Sequence, residues 1–182
     1  TSVTIHKLLD ADLVLISPRS KSSISMSGFP KRRLIQTLAL EDVEKTAPVN
    51  LTYLLWRNPE NLKTRSILTL GFNPADSLLL DDGFSRKADR LKNPGRVLFD
   101  KLSRPEFGPI EDWFLSNKKV ETEVAGKRVI VEGLVELGPS FGADGNLITS
   151  RETYLRLFPS NPKGSIEIGL VCLLYTSDAA DD

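Results

Sequence analysis

The hydrophobic and polar positions in the first part of the chain change period several times. Residues 1–9 have apolar positions at helical spacing, which predicts the end of a helix that enters from upstream. Residues 12–17 form a β-rich run that ends at Pro18, which predicts a strand. Residues 29–38 begin with Phe-Pro and continue with apolar positions at helical spacing, so we expect a helix there.

A long β-type run, residues 43–57, is followed by a second run, residues 64–72. The segment between them, residues 58–61, reads Asn-Pro-Glu-Asn and is typical of a turn. The two runs therefore predict a β-hairpin. Because proline cannot donate a hydrogen bond to a sheet, we expect a break in the first strand at Pro48.

The pattern changes after Asn73, where short β-type runs are separated by turn residues. It predicts a loop over residues 75–83 and a polar helix over residues 84–91. Alternation on both sides of Ala125-Gly126 predicts a second hairpin. Further strands are expected at 96–100, 119–124, 128–137, 146–149 and 165–170, and a helix capped by Ser150 should end at Pro159.

The order of these elements favours an α+β fold built from two parts. Residues 10–72 and the return strand at 163–171 would form a truncated α/β subdomain. Residues 73–162 would form a mostly-β subdomain inserted into it. Residues 172–182 are the remaining segment, and they differ from the rest in composition.

The final segment reads CLLYTSDAADD and contains Cys172, the only cysteine of the 182 residues. CLLYTSDAAD is the translation of TGT CTC TTA TAC ACA TCT GAC GCT GCC GAC, which resembles a transposon-type sequencing-library adapter. We therefore interpret residues 172–182 as a non-native tail and expect the natural chain to continue differently after Val171. Of this tail, residues 172–175 should at best prolong the last strand.

Candidate chemistry is sparse. His6 is the only histidine, and Cys172 lies in the segment interpreted as non-native. The sequence therefore lacks the cysteine and histidine residues that a zinc site or a nucleophile–base pair needs. We predict no catalytic residue, no metal and no cofactor. The acidic pairs Asp81-Asp82 and Glu111-Asp112 are typical of solvated positions, although a hydrolase with dispersed carboxylates stays an alternative. Residues 138–145 are glycine-rich but lack the Gly-Lys-Ser/Thr of a phosphate-binding loop.

The chain has 24 basic and 24 acidic residues and no formal net charge. Its densest basic cluster, Lys31-Arg32-Arg33, is not followed by further basic stripes with aromatic residues, so we expect no nucleic-acid partner. A solvated helix face is the first interpretation of this cluster, and attraction to anionic lipid headgroups is the second.

Seven stretches, in this order and spacing, resemble the periplasmic part of DevC-type permeases, the cyanobacterial branch of the MacB-like ABC exporters. They are residues 4–7 (TIHK), 10–20 (DADLVLISPRS), 29–38 (FPKRRLIQTL), 56–60 (WRNPE), 64–76 (TRSILTLGFNPAD), 96–109 (RVLFDKLSRPEFGP) and 137–150 (LGPSFGADGNLITS). None of these stretches is catalytic.

The resemblance implies a non-catalytic, periplasmic domain of an inner-membrane permease that exports envelope glycolipids or related molecules. Expected partners are a separate ATPase subunit, a membrane-fusion adaptor protein, a TolC-like outer-membrane channel and a second copy of the permease. The domain would transmit ATPase-driven motion. A free-standing extracytoplasmic module that binds lipid or glycan is the alternative.

In this architecture the loops of the inserted part would face the adaptor. Two loops combine glycine or proline with an aromatic residue, residues 104–109 and 138–145. The predicted contact residues are Arg104, Glu106, Phe107, Phe141 and Asp144. For Phe107 and Phe141 the alternative is that both rings pack inward and hold the insert together.

Overall fold

The computed structural model describes residues 11–20, 26–76, 82–138 and 143–174. The predicted helix end at 1–9, most of the predicted loop at 75–83, Phe141 and residues 175–182 lie outside the described residues. Within them the chain forms a mixed α+β fold that is mostly sheet, which confirms the predicted fold class.

Ten strands and four helices lie within the described residues. The strands are β1 (Leu13–Ile16), β2 (Phe29–Pro30), β3 (Val43–Arg57), β4 (Thr64–Phe72), β5 (Arg96–Asp100), β6 (Glu121–Val124), β7 (Lys127–Val135), β8 (Asn146–Ser150), β9 (Ser165–Ile166) and β10 (Ile168–Leu173). The helices are α1 (Lys31–Gln36), α2 (Asp82–Arg90), α3 (Ile110–Leu115) and α4 (Arg151–Leu157), with 3₁₀ turns at Thr37–Ala39 and Pro105–Phe107.

Eight strands form one sheet in the order β1-β10-β3-β4-β8-β5-β7-β6. Trp56 of β3 also pairs with Val124 of β6, so that β3, β4, β8, β5, β7 and β6 close into a ring. Ala125 N–H donates to Leu55 O at 2.8 Å beside this pair. Strands β1 and β10 continue the sheet outside the ring, along the first half of β3.

The two faces of the ring strands bury different cores. The inner face carries Trp56, Phe99 and their buried aliphatic neighbours. The opposite face of β3 and β4 packs with Leu98, Ile148, Leu170 and the apolar side chains of α2. This division follows the two-residue period of a strand, which sends successive side chains to opposite faces.

Strand β3 runs without a break through Pro48, contrary to the sequence expectation. Val49 O accepts from the Glu167 N–H at 3.2 Å, so the backbone groups of Val49 face β10. Those of Pro48 therefore face the other neighbour, β4, which ends at Phe72 opposite Val49. The missing N–H of Pro48 costs no ladder hydrogen bond at this position.

Three predicted local signals have the expected geometry. Asn58 Oδ1 accepts from Glu60 N–H at 2.8 Å in the turn between β3 and β4. Ala125 and Gly126 have φ of 51° and 72°, the left-handed conformations that a two-residue hairpin needs. Ser150 Oγ accepts from Thr153 N–H at 3.1 Å and caps α4.

Some boundaries differ from the sequence predictions. Pro30 belongs to the short strand β2 and precedes α1, and α2 begins at Asp82, within the stretch expected to be loop. The return strand is divided at Glu167 into β9 and β10. Cys172 is buried and pairs with Lys45, so β10 extends two residues into the predicted tail. The division of the chain into two subdomains at Asn73 stays a prediction. Strands from both predicted subdomains belong to one sheet.

Candidate partner-contact site

Two segments that the sequence singled out meet at one end of the ring, beside the β3–β4 turn. Trp56 Nε1 donates to Phe107 O at 2.9 Å, and Asn58 Nδ2 donates to Glu106 O at 3.0 Å. The backbone N–H of Arg104 donates to Asp144 O at 2.9 Å. The buried side chains of Trp56 and Asn58 thus hold the 3₁₀ turn, and this turn is tied to the loop before β8.

An ion cluster covers this junction. The Asp144 carboxylate accepts from Arg65 Nη2 at 2.5 Å and from Arg104 Nε at 2.7 Å. Arg65 Nη1 also lies 3.8 Å from Glu106 Oε1. We therefore define the contact cluster as Arg65, Arg104, Glu106 and Asp144. Three of its four members were predicted, whereas Arg65 was missed because it lies inside a β-type run rather than in a loop.

The ion pairs of the cluster favour the charged forms of Arg65 and Asp144, and other members of the cluster stay accessible. The hydrogen bond from Arg65, with the nearby charge of Arg104, holds the pKa of Asp144 below its usual range. The same hydrogen bond raises the pKa of Arg65. Arg104 and Glu106 retain 59% and 53% side-chain exposure. The arrangement can therefore offer fixed charges of both signs to a partner.

Phe107 packs inward. Its side chain is fully buried, its ring centroid lies 6.4 Å from that of Phe99, and the Arg65 guanidinium lies over the ring at 5.6 Å from its centroid. A Cβ on Gly145 would lie 2.6 Å from the Phe107 ring, so glycine permits this close approach. Of the two alternatives for Phe107, burial favours the core position. Phe141 lies outside the described residues.

A buried carboxylate that the sequence analysis did not single out organises the neighbouring loops. Asp100 has no exposed surface and accepts from four N–H groups. The donors are Leu102 N at 3.1 Å, Leu137 N at 3.0 Å, Gly138 N at 3.1 Å and Asn146 Nδ2 at 2.8 Å. It connects both loops of the predicted contact site to the sheet. The sequence feature that could have indicated Asp100 is its position at the end of a buried strand, immediately before a turn.

The part of the chain that the structure describes contains no group of three His, Cys, Asp or Glu side chains placed to hold a metal ion. The cluster also contains no nucleophile paired with a base. Its chemistry is that of surface ion pairs and charge-assisted hydrogen bonds. Within the described ranges, no helix has the length and apolar character needed to cross a membrane.

No protein-family profile and no curated protein sequence matches the chain. Among solved structures, the extracellular domain of the noncanonic ABC-type transporter YknZ from Gram-positive bacteria is similar, with a TM-score of 0.54 and 13% identity over 90% of this chain and 83% of that one. The periplasmic region of MacB from Actinobacillus actinomycetemcomitans has a TM-score of 0.51 and 14% identity over 93% of this chain and 75% of that one.

The chain has the fold of these two transporter domains. At such low identity the likeness concerns the fold, because one fold can carry unrelated functions. The similarity extends over most of both chains in each comparison.

Proposed function

We propose that this chain is the extracytoplasmic domain of an ABC exporter permease of the DevC type, on the periplasmic side of an inner membrane. The observation that carries the proposal is the fold, which is similar to two transporter extracytoplasmic domains over at least 90% of this chain. The order of the seven sequence stretches supports the narrower assignment. Envelope glycolipids or related molecules are the proposed cargo, and the domain itself is non-catalytic.

In this proposal the domain transmits motion that ATP hydrolysis in a separate subunit produces. Strand β3 supports this role because its 15 residues form one continuous element. Its first half pairs with β10 and its last residues close the ring, so a rotation of one end carries the other with it. Rigid-body motion of this kind needs no reactive group in the domain.

The contact cluster is the proposed docking surface for a membrane-fusion adaptor, which would connect the permease to a TolC-like outer-membrane channel. The observation in its favour is that Arg104 and Glu106 stay exposed while their backbone is held by buried side chains. A partner that binds there orders few additional groups, which lowers the cost of association. The proposed assembly contains two copies of the permease.

Charge reversal in the parent permease tests this function. We expect Arg104→Glu to weaken capture of the adaptor by detergent-solubilised permease at least about tenfold, because it places like charges beside Asp144. Arg33→Glu, on the exposed side of α1, is the matched control and should leave capture unchanged. Equal capture by both variants would exclude the cluster as the docking surface.

The alternative, a free-standing module that binds lipid or glycan, predicts no adaptor capture by either variant or by the unmodified protein. A genomic reading frame that lacks a membrane-spanning segment of about 20 apolar residues would favour the same alternative. That residues 172–182 derive from a sequencing-library adapter also stays a proposal. Sequencing of an independent genomic clone tests it directly.

A further inference from the structure

A groove of about 780 Å³ lies where β4 and β8 end, whereas the contact cluster lies where these two strands begin. It is bounded by α1, by the start of α4 and by the turn that follows β4. Its volume falls in the range of pockets that bind small molecules, about 300–1,000 Å³. The side chains that matter for its chemistry are Lys31, Ile35, Leu38, Asp76, Arg151 and Leu155.

One cation of the groove is held in place by a buried network. Arg151 Nε donates to Asn50 Oδ1 at 3.1 Å, and Asn50 has no exposed surface. The Asn50 amide donates to Ser165 O at 2.9 Å and to Glu167 Oε2 at 3.1 Å, so its orientation is determined. The Leu51 N–H donates to the same carboxylate oxygen at 3.0 Å. Two buried polar side chains therefore position the guanidinium at the groove wall.

The groove is lined by charges of both signs. Three basic side chains, Lys31, Lys92 and Arg151, face two acidic ones, Asp76 and Glu152. Lys92 pairs with Asp89 at 2.7 Å, outside the lining. Neither Lys31 nor Arg151 forms an ion pair with another described residue. Burial raises the pKa of Asp76, with the charge of Lys31 acting in the opposite direction.

Aliphatic side chains also line the groove, and some of them are open to solvent. Ile35 and Leu38 are 51% and 45% exposed, and Leu155 of α4 contributes to the lining. Pro48 and Pro74 add further apolar surface. Covering such surface is favourable by about 25 cal/mol per Å². The groove therefore combines an oriented cation with an uncovered aliphatic strip.

We propose that this groove binds a small amphiphile with one anionic headgroup and an aliphatic chain. The headgroup would accept hydrogen bonds from Arg151 and Lys31, and the chain would lie along Ile35, Leu38 and Leu155. A planar guanidinium suits the paired oxygens of a phosphate or carboxylate. The inference rests on the groove alone and is independent of adaptor docking at the contact cluster.

The test uses the full chain and dodecyl phosphate below its micelle concentration, with binding measured by calorimetry and by methyl NMR. We expect saturable binding that shifts the methyl signals of Leu38 and Leu155. The signals of Leu55 and Leu62, exposed leucines elsewhere on the surface, should stay unchanged. Inorganic phosphate and dodecanol should each bind at least about tenfold more weakly, since each lacks half of the recognised chemistry.

Variants separate recognition from simple adsorption. Arg151→Gln should weaken dodecyl phosphate binding about tenfold or more and Lys31→Gln severalfold, whereas Arg32→Gln on the same helix should leave it unchanged. Melting curves check that each variant is folded, and Lys31→Gln provides the test if Arg151→Gln is not. The proposal would be overturned if dodecyl phosphate and dodecanol bound with equal affinity, or if all three variants bound dodecyl phosphate equally well. Methyl signal shifts centred on Leu55 would also overturn it.

Discussion

The closed ring differs from the open side of the sheet, which is the region around α1 and the groove, in how its apolar side chains are covered. Inside the ring, Trp56 and Phe107 are completely buried. Trp56 lies on β3, which pairs with strands on both sides, and Phe107 lies on the 3₁₀ turn that β3 holds by a hydrogen bond. On the open side, Ile35 and Leu38 expose about half of their surface beside the groove. Within the described residues the ring thus covers its own apolar side chains, whereas α1 and the turn after it leave aliphatic surface uncovered.

This contrast assigns stability and recognition to different regions. Ring closure depends on buried aromatic and aliphatic contacts, which contribute most to folding. Surface ion pairs and exposed aliphatic residues contribute little to stability, and changes there are tolerated. Substitutions in the two regions should thus have very different effects on unfolding, and the following measurements test this difference.

The largest effect should come from Trp56→Ala. The side chain fills the interior of the ring, its centroid lies 5.2 Å from that of Phe99, and its Nε1 holds Phe107 O. We expect a loss of about 3–5 kcal/mol in the free energy of unfolding, measured with urea. Trp113→Ala, at a half-buried position, is the control and should cost less. Equal losses would mean that the ring interior is not the main core.

The second largest effect should come from Asp100→Ala, which leaves four donors without their common acceptor, those of Gly138 and Asn146 in buried hydrogen bonds. We expect a loss of about 3 kcal/mol and faster amide exchange at Leu137 and Gly138. Asp89→Ala removes an exposed carboxylate and should change the free energy of unfolding by less than about 0.5 kcal/mol. Unchanged exchange at Gly138 would contradict the proposed role of Asp100 in holding the loops.

A smaller, pH-dependent effect is expected at Glu121 on the ring surface. Hydrogen bonds from Arg128 and Lys119 lower its pKa to about 2 from 4.5. Because the folded-state pKa is lowered, the stabilisation is present above pH 4.5 and is lost as the pH falls towards 2. Glu121→Gln should therefore be less stable than the unmodified protein at pH 7 and equal to it near pH 2.

Salt should reduce this difference at pH 7, since the groups are exposed. The matched variant Glu41→Gln removes an exposed carboxylate that forms no ion pair with another described residue, and at pH 7 it should change the free energy of unfolding less than Glu121→Gln does. A difference at Glu121 that persists at pH 2 would indicate that packing, and not charge, is responsible.

The smallest effect on stability should come from Leu38→Ser on the groove wall, within about 0.5 kcal/mol. Leu34→Ser, at the fully buried position of the adjoining helix α1, should cost several times as much by thermal melting. A large loss for Leu38→Ser would show that the groove wall is part of the core, which would remove the contrast between the two regions.

The local sequence determined the features that depend on a few neighbouring residues. The turn at Asn58, the hairpin at Ala125-Gly126 and the cap at Ser150 were predicted and have the expected geometry. Backbone conformation and short-range hydrogen bonds decide such features, so they are encoded over three to five residues. The α+β fold class followed from the order of these elements.

The tertiary structure alone decided which distant segments meet. Alternation in residues 43–57 indicates two faces, but it does not specify that Trp56 pairs with Val124 and closes the ring. Pro48 was expected to break this strand, and it is tolerated because its missing donor faces a side where β4 has already ended.

The candidate site shows the same division between local and long-range information. Arg104, Glu106 and Asp144 could be found because glycine and proline mark their loops, whereas Arg65 and Asp100 lie within or at the end of strands. Phe107 has the same sequence neighbours whether it points outward or inward, and its burial depends on Trp56, Phe99 and Gly145. Contacts between residues so far apart in sequence leave no periodic pattern along the chain, and only packing selects them.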